Sequence, residues 1–435
     1  MKLLLVGGGG REHALAWRIR HEHPAVTIVA APGNPGIAAI ASCVPMSVSD
    51  VTGLLALAMT DQVDAVIVGP EAPLAAGLAD ACIAHGIPVF GPTRAAAQLE
   101  TSKAFAKAVM RDAGVPTARA SMHTKVTAAK AAARELGAPV VIKASGLAAG
   151  KGVVVAMTID EADAAITSML EDNIFGEAGA EVLVEEFMTG EELSLFVLTD
   201  GETAVPLPAA QDHKRVGEGD TGPNTGGMGA YCPADAGDAS FVWCDGSIPS
   251  GIQHVLDIIV EPTLRVMRER GTPFRGLLYC GVMLTPTGPR VVEFNCRFGD
   301  PETQAVLPAL ADDAPLTRVM LQIARGERID PVPVFAPARN VVATVIAAKD
   351  YPAAPRLGDA ITLPTANVGE WLFHAGTKNT KGALLSHGGR VLTATATGAS
   401  LSEAQQRSSA LAARVQFDGA FFRRDIGWRA LQRGA

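Results

Sequence analysis

"KLLLVGGGGREHALAWRIR" (residues 2–20) carries the signal that decides the fold. "KLLLV" is a short unbroken apolar run, the pattern of a strand buried on both faces. Four glycines follow at 7–10, and then "REHALAWRIR" has the spacing of a helix. "VTIVA" (26–30) reads as the next strand and runs into "APGNPG". "VDAVIVG" (63–69) is a third, ending in "PEAPL", and "GIPVFG" (86–91) is a fourth. Strands alternating with helices predict an open parallel sheet. Ligands of such sheets bind beyond the carboxyl ends of the strands. Three glycine- or proline-marked turns fall at such ends: 7–10, 33–36 and 69–71.

The first turn is a poor dinucleotide site. Gly7 and Gly9 match the start of G-x-G-x-x-G, but Glu12 stands where the third glycine belongs. The second strand ends in Ala30-Ala31-Pro32, with no acid for a ribose diol. The amides of Gly9, Gly10 and the helix start still suit a phosphate. A merely structural tight turn is the alternative.

Composition bounds the rest. At 435 residues two to four domains are expected. The chain is 48% hydrophobic and 19% charged, ample for packed cores. A net charge of −8 argues against a general nucleic-acid binder. None of the six cysteines forms a C-x-x-C pair, so a reduced, cytoplasmic protein is expected. The N-terminal apolar run is too short for a signal peptide, and no stretch reaches the length of a membrane span.

Beyond residue 100 the organisation changes. "TSKAFAKAVMRDAG" (101–114) is helical. "APVVIKASGLAAGKGVVVAM" (138–157) reads as strand, glycine-rich loop, strand. Thr158-x-x-Glu161 is a capping-box pattern that starts a helix. Residues 180–208 read as successive strands with Asp200-Gly201 at a hairpin turn. Because the loop 145–152 joins two strands, it is no Walker loop. It still offers backbone amides and Lys151 to an anion, with Lys143 on the strand before it. A solvated surface hairpin is the alternative.

In "PRVVEFNCRFGDPETQ" (289–304) side chains alternate, so Glu293, Asn295 and Arg297 share one face. Hard oxygen ligands on a rigid strand suit Mg²⁺, and Arg297 beside them suits a developing anion. A solvent-facing edge strand is the alternative. Cys296 falls on the other face with Phe294 and Phe298 and reads as structural. "QDHKRVGEGDTGPNTGGMGAY" (211–231) places six glycines between 217 and 229. That excludes a helix, and with Pro223 it argues against an ordinary strand. Loops of this length are functional or disordered.

Together, "GGGGREHALAW", "VGPEAPL", "KASGLAAGKGV", "QDHKRVGEGDTGPNTGGMGAY", "EFNCRFGDPETQ" and "DIGWRA" resemble the glycinamide ribonucleotide synthetase family, ATP-grasp enzymes of purine biosynthesis. The resemblance implies α/β and α+β architecture in three parts. These are an N-terminal parallel α/β domain (1–103), an ATP-grasp domain (104–328) with a small lid at about 120–190, and a C-terminal α+β domain (329–435). It implies ATP-dependent ligation of glycine to 5-phosphoribosylamine through glycyl phosphate, with both small molecules as partners, by a cytoplasmic monomer. Glu293 and Asn295 would hold Mg²⁺, with Mn²⁺ as the alternative. Lys103, Lys143, Gly150, Lys151 and Gly152 would bind the ATP phosphates. Glu185, Phe187 and Met188 would meet the adenine, and Glu192 the ribose. Asp212, Lys214 and Arg297 would serve the chemistry, with the amides of Asn224, Thr225 and Gly226 approaching the reactants. Phosphoribosylamine would lie near Gly9, Gly10, Arg11, Gly33, Asn34, Pro70, Glu71, Asp300 and Pro301.

The pattern is not followed everywhere. "GLLYCGVML" (276–284) lacks the second metal carboxylate that many ATP-grasp proteins carry on that strand. "AAKDYPAAP" lacks the glycines usual around Tyr-Pro, which puts a turn in doubt. Residues 233–249 receive no role. Two other readings compete: an ATP-grasp ligase or carboxylase acting on a different acid, and a nucleotide sensor without turnover.

Overall fold

The computed structural model describes residues 1–146, 152–172, 180–244 and 246–433. At the N-terminus the strands Ser42–Cys43, Thr27–Pro32, Lys2–Gly7, Ala65–Val68 and Val89–Phe90 form one sheet in that order, parallel throughout. Leu3, Leu4, Leu5 and Val6 are all buried, as a central strand covered on both faces requires. The carboxyl ends of these strands open toward the rest of the chain, and that edge carries the 7–10, 33–36 and 69–71 turns.

The segment expected to form a lid is a separate layer. Strands Ala120–His123, Val182–Glu186, Val140–Ala144 and Val153–Ala156 pair antiparallel in that order. Helices Val126–Leu136 and Ile159–Leu170 pack against them around a small core of their own that includes Ala133, Ile142, Ile166 and Val184. Thr158 caps the second helix, its hydroxyl accepting from the Glu161 amide at 3.2 Å. Glu161 Oε2 in turn accepts from the Met157 amide at 2.7 Å, one residue before the cap. Gly150 and Lys151 lie outside the described residues.

A four-stranded antiparallel sheet runs Ala204–Pro206, Glu191–Thr199, Gly276–Thr285, Gly288–Asn295. A further antiparallel sheet joins Gln211–Asp212 and Gly229–Cys232 to the C-terminal strands Asn340–Ala347, Arg390–Gly398 and Glu370–His374. The C-terminal layer is thus hydrogen-bonded to the middle of the chain.

The 211–231 segment departs from expectation by being mostly short strand. Arg215–Gly217 and Thr221–Asn224 make a two-stranded ribbon with a register shift. Such a ribbon tolerates Pro223 because an edge position needs no ladder donor there. The doubtful turn before Tyr351 forms with Asp350 at φ 67, a left-handed conformation that aspartate tolerates better than most side chains. Among the described residues, no helix is long and apolar enough to cross a membrane.

Candidate active site

Where the three layers meet, two adjoining cavities of about 480 Å³ and 410 Å³ share Lys143, Val153, Glu185, Asp212, Lys214, Asn224 and Val292, so they form one cleft. Its two ends differ in chemistry.

At one end Val141, Val155, Phe187, Met188, Met283 and Val292 line an apolar slot. Beside it Glu185, 3% exposed, receives Lys107 Nζ at 2.5 Å and also the ammonium of Lys143. Burial opposes the charge on Glu185, but the two lysines outweigh it and hold its pKa below the usual range. Lys107 spends its other donors on Thr117 Oγ1 (2.9 Å) and the Ala118 carbonyl (3.1 Å), so its three N–H groups are committed. Lys143 reaches only the Val292 carbonyl besides, at 3.4 Å, and Lys103 reaches the Gly146 carbonyl at 3.4 Å. Burial lowers the pKa of Lys103, with Glu293 acting against that shift. The expected contact of the Glu185 carboxylate with a base is therefore revised. That carboxylate organises lysines, whereas Phe187 and Met188 line the apolar slot.

In the middle of the cleft the two sheet layers converge. Glu192 Oε1 accepts from Lys214 Nζ at 2.5 Å. A Cβ at Gly281 would stand 3.3 Å from Glu192 Oε1 and 3.5 Å from Glu293 Cγ. The absent side chain on this strand is what lets carboxylates from the strands on either side approach. Burial is the largest influence on Glu293 and raises its pKa. Lys214, Lys143, Lys103 and Arg297 together reverse the sign, so the group is held ionised. Asp212 is pushed up to about 8, first by burial and then by Glu302, Glu192 and Glu293, against the pull of Lys214. Lys214 is raised: burial works against its charge, but Glu192, Asp212 and Glu293 prevail. The Asn295 amide satisfies its neighbours when its nitrogen donates to Glu100 Oε1 (3.1 Å) and the Phe294 carbonyl (3.3 Å), which turns Oδ1 away from both.

At the far end Arg297 donates from Nε to Glu71 Oε2 at 3.1 Å, from Nη2 to Glu100 Oε1 at 2.9 Å and from Nη1 to the Phe298 carbonyl at 3.1 Å. Two of its five N–H groups remain for a ligand. Pro70 precedes the short helix Glu71–Ala75, so Glu71 enters the cleft at the first turn. Arg11 donates to Glu12 Oε1 (2.5 Å) and the Phe298 carbonyl (3.0 Å). Asp300 accepts from the Arg11 amide (3.3 Å), from Gln304 Nε2 (2.9 Å) and from Arg390 Nη1 (3.3 Å).

Several amides expected to face ligands are already partnered. The Gly9 N–H donates to Glu12 Oε2 at 2.6 Å. With Asp300 on the Arg11 amide, the helix start at Gly10 is capped by two carboxylates, so the expectation of a phosphate on the Gly9 amide is revised. The glycines here make room for Glu12: a Cβ at Gly7 or Gly69 would meet its side chain at 2.6 or 2.1 Å. Asn34 spends its amide on the Gly8 and His374 carbonyls (2.9 and 2.7 Å) and its oxygen on the Ile37 amide (2.9 Å), pinning the turn that begins at Gly33. In the glycine-rich segment Thr225 N–H donates to the Lys214 carbonyl, Gly226 N–H to Tyr351 Oη, and Gly227 N–H to Thr225 Oγ1. Those glycines serve close packing. Gly227 has φ +107 with Pro301 Cδ 2.4 Å from where its Cβ would be, and Gly226 lies against the Arg390 guanidinium. Asn224, Thr225 and Gly226 still line the cleft.

Sequence reasoning missed Lys107, Glu100, Glu302, Tyr351 and Arg390. Lys107 had a signal, since it lies one helical turn beyond Lys103. Glu302 sits in the quoted "GDPETQ" and accepts from Tyr279 Oη at 3.2 Å. Arg390 and Tyr351 reach the site from the C-terminal layer, which no local pattern announces. Among the described residues, no group of three or more His, Cys, Asp or Glu is placed to hold a metal ion.

Comparison with known proteins finds relatives along the whole chain. Family models described as the phosphoribosylglycinamide synthetase N domain, ATP-grasp (A) domain and C domain match residues 1–100, 101–303 and 341–429. The phosphoribosylamine–glycine ligase of Mesorhizobium japonicum is 48% identical over 435 residues, covering 100% of this chain and 99% of its own. That of Vibrio vulnificus is 48% identical over 438 residues, with the same coverage. The crystal structure of phosphoribosylamine–glycine ligase from Thermotoga maritima superposes with a TM-score of 0.84 at 31% identity, covering 98% of this chain and 100% of that one. The biotin carboxylase domain of 2-oxoglutarate carboxylase from Hydrogenobacter thermophilus, solved with MgADP and bicarbonate, shares the fold alone. Its identity is 17% and its TM-score 0.71, over 97% of this chain and 91% of that one.

Proposed function

The chain belongs to the phosphoribosylglycinamide synthetase family, and from that membership we propose how its residues divide the work. The reaction is the ATP-dependent ligation of glycine to phosphoribosylamine in purine biosynthesis. In our reading ATP lies with its base in the Phe187–Met188 slot and its phosphates over Lys103 and Lys143. The ribose lies near Glu192, and Gly150, Lys151 and Gly152 would also bind the phosphates. The expected division into 1–103, 104–328 with a lid at about 120–190, and 329–435 is part of this proposal. So are a monomeric state and a cytoplasmic location.

Glu293 and Asn295 fit Mg²⁺, with Mn²⁺ as the alternative. One is an ionised carboxylate, the other an amide whose oxygen is turned away from its protein neighbours. Two protein oxygens completed by phosphate oxygens and water is the donor set Mg²⁺ favours. When bound, the ion would neutralise charge on the transferring phosphoryl group.

The glycine carboxylate attacks the γ-phosphorus, ADP leaves, and glycyl phosphate forms. The phosphoribosylamine nitrogen then attacks the acyl carbon, the C–O bond to phosphate breaks, and the nitrogen loses a proton. Lys214, held protonated chiefly by Glu192, would steady the phosphoryl oxygens. Asp212, whose proton affinity is raised into the neutral range, would hold the glycine amino group. Arg297 would meet negative charge developing on the acyl oxygen through its two remaining N–H groups. Glu71 would accept from the ribose hydroxyls, and Arg11 and Asp300 would frame the sugar phosphate with Arg390.

The observation that carries this reading is the continuity of the cleft from Lys103 and Lys143, past Glu293, to Arg297 and Glu71. The test is ADP release with Mg-ATP, glycine and fresh phosphoribosylamine. Release should need all three. Faster release with a different acid in place of glycine would overturn the assignment.

A further inference from the structure

Glu100 plays no part in the steps above, yet its carboxylate is fully committed inside the same cleft. Its side chain is 5% exposed. Oε1 accepts from Arg297 Nη2 at 2.9 Å and from the Asn295 amide at 3.1 Å. Oε2 accepts from the Cys296 backbone N–H at 2.8 Å and from its thiol at 3.0 Å. A carboxylate offers about four acceptor sites, and here all four are filled by one tripeptide, residues 295–297. Because the strand Gly288–Asn295 ends at that point, the side chains on both of its sides come within reach of one group.

This geometry has consequences for the neighbours. Arginine is a long side chain with several rotamers, held here from Nε by Glu71 and from Nη1 by the Phe298 carbonyl. The second carboxylate, at Nη2, adds a third anchor and a charged one, which restrains the plane of the guanidinium. The same oxygen holds the Asn295 nitrogen, which sets the opposite direction of Oδ1. Glu100 lies on the short turn Gln98–Thr101, and Lys103 follows three residues later at the start of the next helix, capped by Ser102. One turn of chain therefore faces both ends of the cleft.

We propose that Glu100 is a positioning residue for the ligation, orienting Arg297 and Asn295 together so that the phosphoribosylamine end and the phosphoryl end stay in register. The inference rests on the roles given above to those two residues.

Glu100→Gln keeps the size but turns one acceptor oxygen into an NH₂ that confronts donors. Expected is a fall in kcat of about a hundredfold, the scale of a small misplacement at a reacting centre, with KM for ATP essentially unchanged. The discriminating measurement is a double-mutant cycle with Arg297→Lys on kcat/KM for phosphoribosylamine. Because Glu100 acts through Asn295 as well as Arg297, the double variant is expected to lose less than the product of the two single losses. Losses that multiply fully overturn the proposal, as does near wild-type kcat in Glu100→Gln while Arg297→Lys is impaired. An unimpaired Arg297→Lys would instead overturn the role of Arg297 itself, and this inference with it. Should Glu100→Gln not fold, Glu100→Asp retains the charge but not the reach. The same loss of kcat is then expected, and wild-type kcat would sink the idea.

Discussion

The two ends of the cleft hold their charges in opposite ways. At the end proposed for the nucleotide Lys103, Lys107 and Lys143 gather around one buried carboxylate, Glu185, and two of the three keep N–H groups to spare. At the other end each guanidinium has a carboxylate of its own: Arg297 lies between Glu71 and Glu100, Arg11 rests on Glu12, and Arg390 rests on Asp300. Surplus ammonium charge on flexible stems suits a polyphosphate that arrives with its own negative charge. Compensated, planar guanidiniums suit a sugar phosphate that must be held in one orientation, since a guanidinium fixed by a carboxylate still offers a planar fork.

Glu293 stands where the ends meet, and its loss should be felt most. Glu293→Gln keeps the shape and removes one negative charge. We expect kcat for ADP formation to fall about a thousandfold, roughly 4 kcal/mol, with the unfolding temperature near that of the wild type. Turnover at a near wild-type rate in saturating Mg²⁺ would remove the metal assignment and leave the two ends without a common centre.

The asymmetry itself can be broken at Glu185. Glu185→Gln leaves Lys107 and Lys143 buried side by side without their counter-charge, which should cost about 3 kcal/mol of stability in denaturant unfolding. An ATP analogue should recover part of that loss by bringing phosphates to the lysines. A loss below about 1 kcal/mol, with no recovery, would mean the nucleotide end holds no surplus charge.

Acid should act on the sugar end through two histidines. His13 and His374 lie beneath the Asn34 turn, where the backbone N–H of His374 donates to His13 Nδ1 at 2.8 Å. Burial, and then the charge of His374, lowers the pKa of His13 to about 3, and burial lowers that of His374 to about 4. Both stay neutral in the folded chain while the unfolded chain takes up protons near pH 6.5. Their contribution to stability is therefore complete above pH 6.5 and is lost progressively as pH falls toward 4. The pair should account for about 2 kcal/mol between pH 6.5 and 5.5. His213, lowered to about 4 by burial and by Arg423, adds to the same slope. Replacing His13 and His374 by Gln should flatten the pH dependence of stability, whatever the stability at pH 7. An unchanged slope would refute the account.

What was legible in the sequence followed short-range pattern. The parallel sheet, the lid hairpin, the Thr158 cap and the Glu293–Asn295–Arg297 face all follow from periods of two or 3.6 residues and from turn chemistry. The glycine segments were legible as special, but not in how. Glycine near a site can expose an amide or admit a neighbour, and sequence cannot distinguish these. At Gly7 and Gly69 the neighbour is Glu12, and at Gly226 and Gly227 it is Arg390 and Pro301. Glu100, Arg390 and Tyr351 were invisible because their partners lie 90 or more residues away, in other layers.

The smallest of these effects separates the two ends most cleanly. Glu71 lies at the carboxyl edge of the parallel sheet, and its pKa is lowered: burial opposes its charge, but Arg297 and Arg11 prevail. Its carboxylate therefore stays ionised and shares Arg297 with Glu100, so one lost charge leaves the guanidinium still held. Glu71→Gln should weaken phosphoribosylamine about tenfold in KM, roughly 1.4 kcal/mol, through poorer acceptance of the ribose hydroxyls. ATP should be spared, because Lys103 and Lys143 take their electrostatic partners from Glu185 and Glu293 and not from Glu71. Steady-state kinetics with each substrate varied in turn would decide the matter. A rise in the ATP KM alone would mean that charge at the sugar edge governs the nucleotide end, and the contrast between surplus and compensated charge would not describe how this cleft divides its substrates.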